Sequence, residues 1–133
     1  DTHGADYAGT QEGRKLPVAH CIKGSEGWEI IPQLRPYAPH PIDKPTFGSR
    51  ALGALLLARD EDLRRQGMPG VEKVTFLGVC TDICVISNAL LVKAFLPEAE
   101  IVVEADCCAG VTPESHSTAL EAMKACQITV EHE

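Results

Sequence analysis

Val74-Thr75-Phe76-Leu77-Gly78-Val79-Cys80-Thr81-Asp82-Ile83-Cys84-Val85-Ile86-Ser87-Asn88-Ala89-Leu90-Leu91-Val92-Lys93-Ala94-Phe95 decides the fold. Its first part is short, apolar and rich in β-branched and aromatic residues, the pattern of a buried parallel strand. Its last part is longer, mostly apolar and stopped by Pro97, the pattern of a buried helix. Thr81 and Asp82, between the two, are the natural N-cap candidates. Cys84 then falls in the first turn of a helix at the carboxyl end of a strand, where ligands collect in open α/β sheets. Backbone N–H groups and the helix dipole favour an anion there, so a thiolate is stabilised. The plainer alternative is a small core hydrophobe, the usual fate of an intracellular cysteine.

The flanking segments extend the same alternation. Arg50 to Arg65 carries Leu52, Leu55, Leu56 and Leu63 at helical spacing among charges, with Gly67 and Pro69 beyond, and predicts an amphipathic helix. Ile101–Ala105 predicts a second buried strand. Thr112-Pro113-Glu114 opens a helix that runs to about Cys126. Ile128-Thr129-Val130 closes the pattern as a strand, and Ile42-Asp43-Lys44, broken by Pro45, is a further short candidate. Strands alternating with helices define an α/β domain with a parallel sheet. Residues 1–40, rich in Gly, Pro and His, predict loops with one short extended piece. A loop region this long is functional or disordered, and its histidines and Trp28 favour function.

The 133 residues suffice for one domain, and no repeat or internal boundary divides them. A net charge of −7 argues against a nucleic-acid partner. No apolar run reaches the ~20 residues of a membrane span, and no signal-peptide pattern is present. The cysteines Cys21, Cys80, Cys84, Cys107, Cys108 and Cys126 mostly adjoin apolar runs. They are expected to be reduced thiols, with Cys80, Cys107, Cys108 and Cys126 core or near-core, in a cytoplasmic protein. Asp1-Thr2-His3 together with His20 offers a carboxylate and imidazoles suited to zinc, manganese or iron, although an Asp-x-His triplet alone is often a solvated loop.

Gly78-Val79-Cys80-Thr81-Asp82-Ile83-Cys84-Val85 resembles the nucleophile motif of the isochorismatase-like cysteine hydrolases, G-[VI]-x-T-D-x-C-V. The resemblance implies a three-layer, Rossmann-like α/β/α fold with Cys84 as nucleophile. It also implies a cis peptide at Val79–Cys80 and an oxyanion hole from the N–H groups of Cys80 and Cys84. With His20 in a His-Cys-x-x-Gly context, the set resembles the nicotinamidase branch, in which Asp1, His3 and His20 would hold one metal. Glu12 sits where some members supply a fourth ligand; a surface loop acid is the equal alternative. Lys44 in Lys44-Pro45-Thr46-Phe47-Gly48-Ser49 matches the family lysine that pairs with the nucleophile, an exposed lysine being the alternative. His116, His40 and His132 are read as non-catalytic.

By this resemblance the chain is a metal-dependent hydrolase of a small carboxamide, nicotinamide first, with zinc as the favoured ion and manganese or iron as alternatives. Its partner is a small-molecule substrate, with no nucleic acid or membrane, and the family implies a homo-oligomer. Another amide or ureido substrate, or a non-catalytic metal-binding member, are the other readings. Two departures stand out. The family's catalytic Asp near the end of its first strand has no counterpart, so residues 1–133 are expected to be a single but N-terminally incomplete domain lacking that strand. Leu16-Pro17-Val18-Ala19-His20 lacks the aromatic of the family's Trp-Pro-x-His-Cys pattern, leaving Trp28 as a substitute pocket wall or a core residue.

Overall fold

The deciding stretch forms a strand, a turn and a helix within a unit that runs from Phe47 to Glu133. The computed structural model describes residues 1–133, and its other compact unit is Asp1–Thr46. The helices are α1 (Gln11–Lys15), α2 (Arg50–Arg65), α3 (Ile86–Phe95) and α4 (Pro113–Ala125); the strands are β1 (Lys73–Val79), β2 (Glu100–Ala109) and β3 (Thr129–Glu131). The strands are parallel, in the order β1-β2-β3. Parallel neighbours need crossovers, which α3 and α4 supply. This is the α/β architecture the pattern predicts.

Local chemistry sets the helix ends. Ser49 caps α2 by accepting from the Leu52 N–H at 3.2 Å, and Gly67, at φ +77°, follows the helix in a conformation that favours glycine. Thr112 caps α4 by accepting from the Ser115 N–H at 3.1 Å, with Pro113 in the first turn. The core collects Ile101, Val103 and Ala105 of β2 with Val85, Ala89, Val92 and Leu96 and with Leu120 and Met123 of α4. Each large aliphatic side chain buried this way contributes about 1.5–3 kcal/mol.

Three expectations need correction. β1 is not buried on both faces: Val74 and Phe76 pack on the core, while Leu77 and Val79 are 63% and 70% exposed. An apolar run reads the same whether one or both faces are covered, and β1 lies at an edge of the three strands. Ile42–Lys44 forms no strand, although the Lys44 carbonyl accepts from the Thr2 N–H at 2.8 Å. Residues 1–40 contain α1 and short 3-10 turns, with one isolated parallel bridge between His3 and Ile22 as the extended piece.

The β1–β2 ladder breaks where the chemistry was expected. Phe76 pairs with Val103 but Gly78 pairs with Cys108, so Glu104–Cys107 bulge out of register. Gly78 takes φ +115°, a conformation open to glycine. Cys107, inside the bulge, and Cys126, just past α4, are exposed rather than near-core.

Candidate active site

Beyond β1 the chain passes through a cis peptide, Val79–Cys80, as the resemblance implied. The Cys80 carbonyl then accepts from both the Ile83 and the Val85 N–H groups, each at 3.1 Å. The wide turn so formed, Thr81–Val85, feeds directly into α3 and carries Cys84 at the carboxyl end of the strand. Thr81 and Asp82 are not caps, because the wide turn places Cys80 at its entry with no side-chain cap bond. They are cross-links instead. Thr81, fully buried, has its hydroxyl 2.8 Å from His116 Nδ1, and Asp82 accepts from the Val111 N–H at 3.1 Å. Burial opposes ionisation of Asp82, but bonds from Ser115 and Val111 outweigh it and hold the carboxyl below its usual range.

Asn88, one turn after Cys84, is buried and completes the support. Its amide nitrogen donates to the Cys84 carbonyl at 2.7 Å and to the Phe47 carbonyl at 2.9 Å, and its oxygen accepts from the Ser49 N–H at 2.8 Å. The other thiols nearby are disfavoured as nucleophiles. Burial, with Asp82 beside it, pushes Cys80 up, and burial also pushes Cys108 up; Asp106 does the same to Cys107 through a hydrogen bond.

Within Asp1–Thr46 the structure gathers the metal-ligand candidates. Ligand atoms of Asp1, His3 and His20 all lie within 4.8 Å of one another. The Nε2 atoms of His3 and His20 are 3.3 Å apart. Glu12 Oε1 is 3.5 Å from His3 Nε2 and 4.0 Å from His20 Nε2. It is buried and has no hydrogen-bond partner. Metal bonds of about 2.0–2.1 Å at the tetrahedral angle set ligand atoms about 3.3–3.4 Å apart, a spacing that the His3–His20 and His3–Glu12 separations come close to. The tautomers fit as well. His20 Nδ1 is 2.8 Å from the Val18 carbonyl, which accepts its proton and leaves the Nε2 lone pair facing the cluster. Burial, opposed by Glu12, lowers the pKa of His3, with His20 and Lys44 adding to the decrease; its ring is neutral near pH 7, the form that ligates.

Glu12 reaches this cluster because of α1, which the sequence pattern did not reveal. Thr10 caps it by accepting from the Gly13 N–H at 3.0 Å. Gly13 packs so closely on Tyr7 that an added Cβ would run into the Tyr7 carbonyl. Tyr7 itself was missed. It is 3% exposed, its ring centroid lies 4.7 Å from that of His3 and 5.2 Å from that of His20, and its hydroxyl donates to the Leu16 carbonyl at 2.8 Å. A lone tyrosine between Asp6 and Ala8 carries no pattern; only its distance of five residues from Glu12 hints at a shared site.

Lys44 forms an ion pair with Asp1 and donates to the Thr46 carbonyl at 3.3 Å. A carboxylate has lone pairs enough to accept from an ammonium and still offer an oxygen to an ion. Trp28 donates from Nε1 to Thr2 Oγ1 at 2.8 Å and, with Asp1, Arg35, Ile42 and Asp43, lines a cleft of about 440 Å³. It is a partly exposed wall rather than core. No helix is long and apolar enough to cross a membrane.

The chain thus combines a parallel α/β sheet, carrying a cysteine at the carboxyl end of a strand, with a His/Asp/Glu cluster. The chain belongs to the isochorismatase family, whose isochorismatase domain matches residues 1–133. Among solved structures it is similar to the nicotinamidase/pyrazinamidase of Bacillus subtilis, at 27% identity over 99% of this chain and 72% of that one, with a TM-score of 0.71. The pyrazinamidase/nicotinamidase of Streptococcus mutans is 25% identical over 97% of this chain and 72% of that one, with a TM-score of 0.66. The pyrazinamidase of Pyrococcus horikoshii, solved in complex with zinc, shares the fold at 21% identity, 99% and 73% coverage and a TM-score of 0.62. No curated protein matches the chain.

Proposed function

We propose that this isochorismatase-family hydrolase is a metal-dependent cysteine amidohydrolase that converts nicotinamide to nicotinate and ammonia, with residues 1–133 forming part of one hydrolase domain. The observation that carries the reading is the buried Glu12 oxygen, without a hydrogen bond and 3.5 Å and 4.0 Å from two imidazole nitrogens beside Asp1. An orphaned buried carboxylate oxygen is costly unless a cation completes it. Similarity to the Bacillus subtilis nicotinamidase/pyrazinamidase supports the choice of substrate.

Asp1, His3, His20 and Glu12 would hold the ion, and nitrogen with oxygen donors favour zinc, manganese or iron. When bound, the ion supplies a Lewis-acidic contact for the pyridine nitrogen and so orients the ring. Cys84 Sγ, as thiolate, attacks the carboxamide carbon. The backbone N–H groups of Cys80 and Cys84 stabilise the oxyanion, and Lys44 supplies the cation that supports the thiolate. The C–N bond breaks, and the leaving nitrogen takes the proton first lost by the thiol and departs as ammonia. Water then attacks the thioester, its hydroxyl going to nicotinate and its remaining proton returning to Cys84.

The test is ammonia release from nicotinamide by zinc-loaded protein, with a chelator control and Cys84→Ala alongside. Release that needs both the ion and Cys84 is expected. Undiminished release from Cys84→Ala would remove the nucleophile from this scheme, and turnover of ureido compounds but not nicotinamide would move the substrate class.

A further inference from the structure

We propose that Asn88 is a positioning residue that locks the Cys84 turn to the Phe47–Ser49 segment and so holds the nucleophile in one orientation. The inference rests on the reading of Cys84 as nucleophile and adds to it a residue outside the Gly78–Val85 motif.

Three bonds converge on one buried amide. In a helix, a side chain can donate to the carbonyl one turn before it, and Asn88 does so to Cys84 at 2.7 Å. Its second amide hydrogen goes to the Phe47 carbonyl at 2.9 Å. Its oxygen accepts from the Ser49 N–H at 2.8 Å. The amide cannot be turned over, since that would set its oxygen against two carbonyls and its NH₂ against an N–H. Ser49 is itself the cap of α2, through Leu52 N at 3.2 Å. One side chain therefore ties the nucleophile turn, the loop that follows Lys44 in sequence, and the start of α2. Asn88 is 7% exposed, so water is a poor substitute for these bonds. The carbonyl it holds belongs to the residue whose Sγ must meet the substrate, and a displacement of about 1 Å at such a point costs up to about 100-fold in rate.

The alternative is a purely structural role, and Asp60 provides the control. Asp60 is 8% exposed and ties α2 to the Val71 N–H at 2.7 Å, so it stabilises the same unit without touching the Cys84 turn. Asn88→Ala, Asn88→Asp and Asp60→Asn are compared in thermal melting, in kcat and KM for nicotinamide, and in the pH profile of Cys84 alkylation by iodoacetamide, read on the Cys84 peptide by mass spectrometry. Asn88→Asp keeps the shape and the acceptor for Ser49 but removes both donated bonds. Both Asn88 variants are expected to lower kcat about 10–100-fold with KM changed less than about twofold, and to slow and shift Cys84 alkylation. Asp60→Asn is expected to melt earlier with kcat and alkylation retained. Asn88→Ser keeps a donor for the Cys84 carbonyl; it is expected to fall between wild type and Asn88→Ala and stands in if the alanine variant does not fold.

Wild-type kcat and alkylation in folded Asn88 variants would overturn the proposal. So would equal slowing in Asp60→Asn, because the effect would then be stability alone. If the wild-type protein does not hydrolyse nicotinamide, the substrate reading fails by itself. Slowed Cys84 alkylation in the Asn88 variants would still support the positioning role.

Discussion

Asp1–Thr46 and Phe47–Glu133 are ordered by different forces. In Phe47–Glu133 the buried apolar side chains form a continuous cluster on β2, α3 and α4. In Asp1–Thr46, Tyr7 is the buried apolar side chain, while Val18, Ile31, Leu34, Tyr37 and Ile42 are all more than 40% exposed. What holds Asp1–Thr46 is polar: the Asp1–Lys44 pair, the Thr2–Trp28 bond, the cap on α1 and the imidazoles around Tyr7. A segment that buries so little apolar surface gains most from a cross-link or a bound ion. On the proposed function, the periodic unit would supply the nucleophile Cys84 and the aperiodic one the ligand set around His3 and His20.

Removing the Cys84 thiol, the proposed nucleophile, separates these contributions most sharply. Cys84→Ala is expected to lower amide hydrolysis at least about 1,000-fold, the scale on which covalent nucleophiles act. Zinc content, measured by elemental analysis, should stay at the wild-type level because the ligand set lies in Asp1–Thr46. Loss of zinc from this variant would show that the two functions are not divided in this way.

Truncating the core attacks the periodic unit. Met123, in α4, has no exposed surface and belongs to the main cluster, so Met123→Ala is expected to cost about 2–5 kcal/mol in urea unfolding. A loss under about 1 kcal/mol would mean that the cluster collapses around the gap.

Zinc should act on the aperiodic unit. An ion at 100-fold over its dissociation constant stabilises the form that binds it by about 2.7 kcal/mol. Wild-type melting is expected to rise with zinc and to fall again with chelator. Glu12→Gln, which removes the orphaned carboxylate, and Gly13→Ala, which drives α1 off the Tyr7 carbonyl, should respond much less. Equal responses in all three proteins would place the ion elsewhere.

The same division explains what the sequence made legible. The bounds of α2, Arg50–Arg65, follow from leucine spacing and from Gly67 and Pro69 after it. The Thr112-Pro113 opening of α4 follows from capping chemistry alone. Asp1, His3 and His20 were legible as chemistry, and the structure brings them together. The helix α1 was not legible, because it is short, contains Gly13 and depends on packing against Tyr7. Thr81 and Asp82 were misread as caps because the wide turn after a cis peptide has no period to detect. Asn88 was invisible for a related reason: its partners Phe47 and Ser49 are about forty residues away in sequence.

The smallest expected effect tests how polar groups serve the periodic unit. Asp60 accepts from Arg64 Nε at 2.8 Å and from the Val71 N–H at 2.7 Å, and Gly70 leaves room for it where a Cβ would collide. The hydrogen bond from Arg64, then that from Val71, lowers its carboxyl below the ordinary range. A carboxyl depressed in the folded state contributes stability above the unfolded value, about 3.9, and loses it as pH falls through the folded one. Arg64 is well exposed, so solvent screens the charge–charge part of this contribution. Asp60→Asn should therefore flatten the acid limb of a urea-midpoint profile below about pH 4 while changing little of its shape above that. Acid limbs of equal slope in the two proteins would assign Asp60 a packing role instead of an ionic one. The stitch would then resemble the apolar contacts around it rather than the polar bonding that organises Asp1–Thr46.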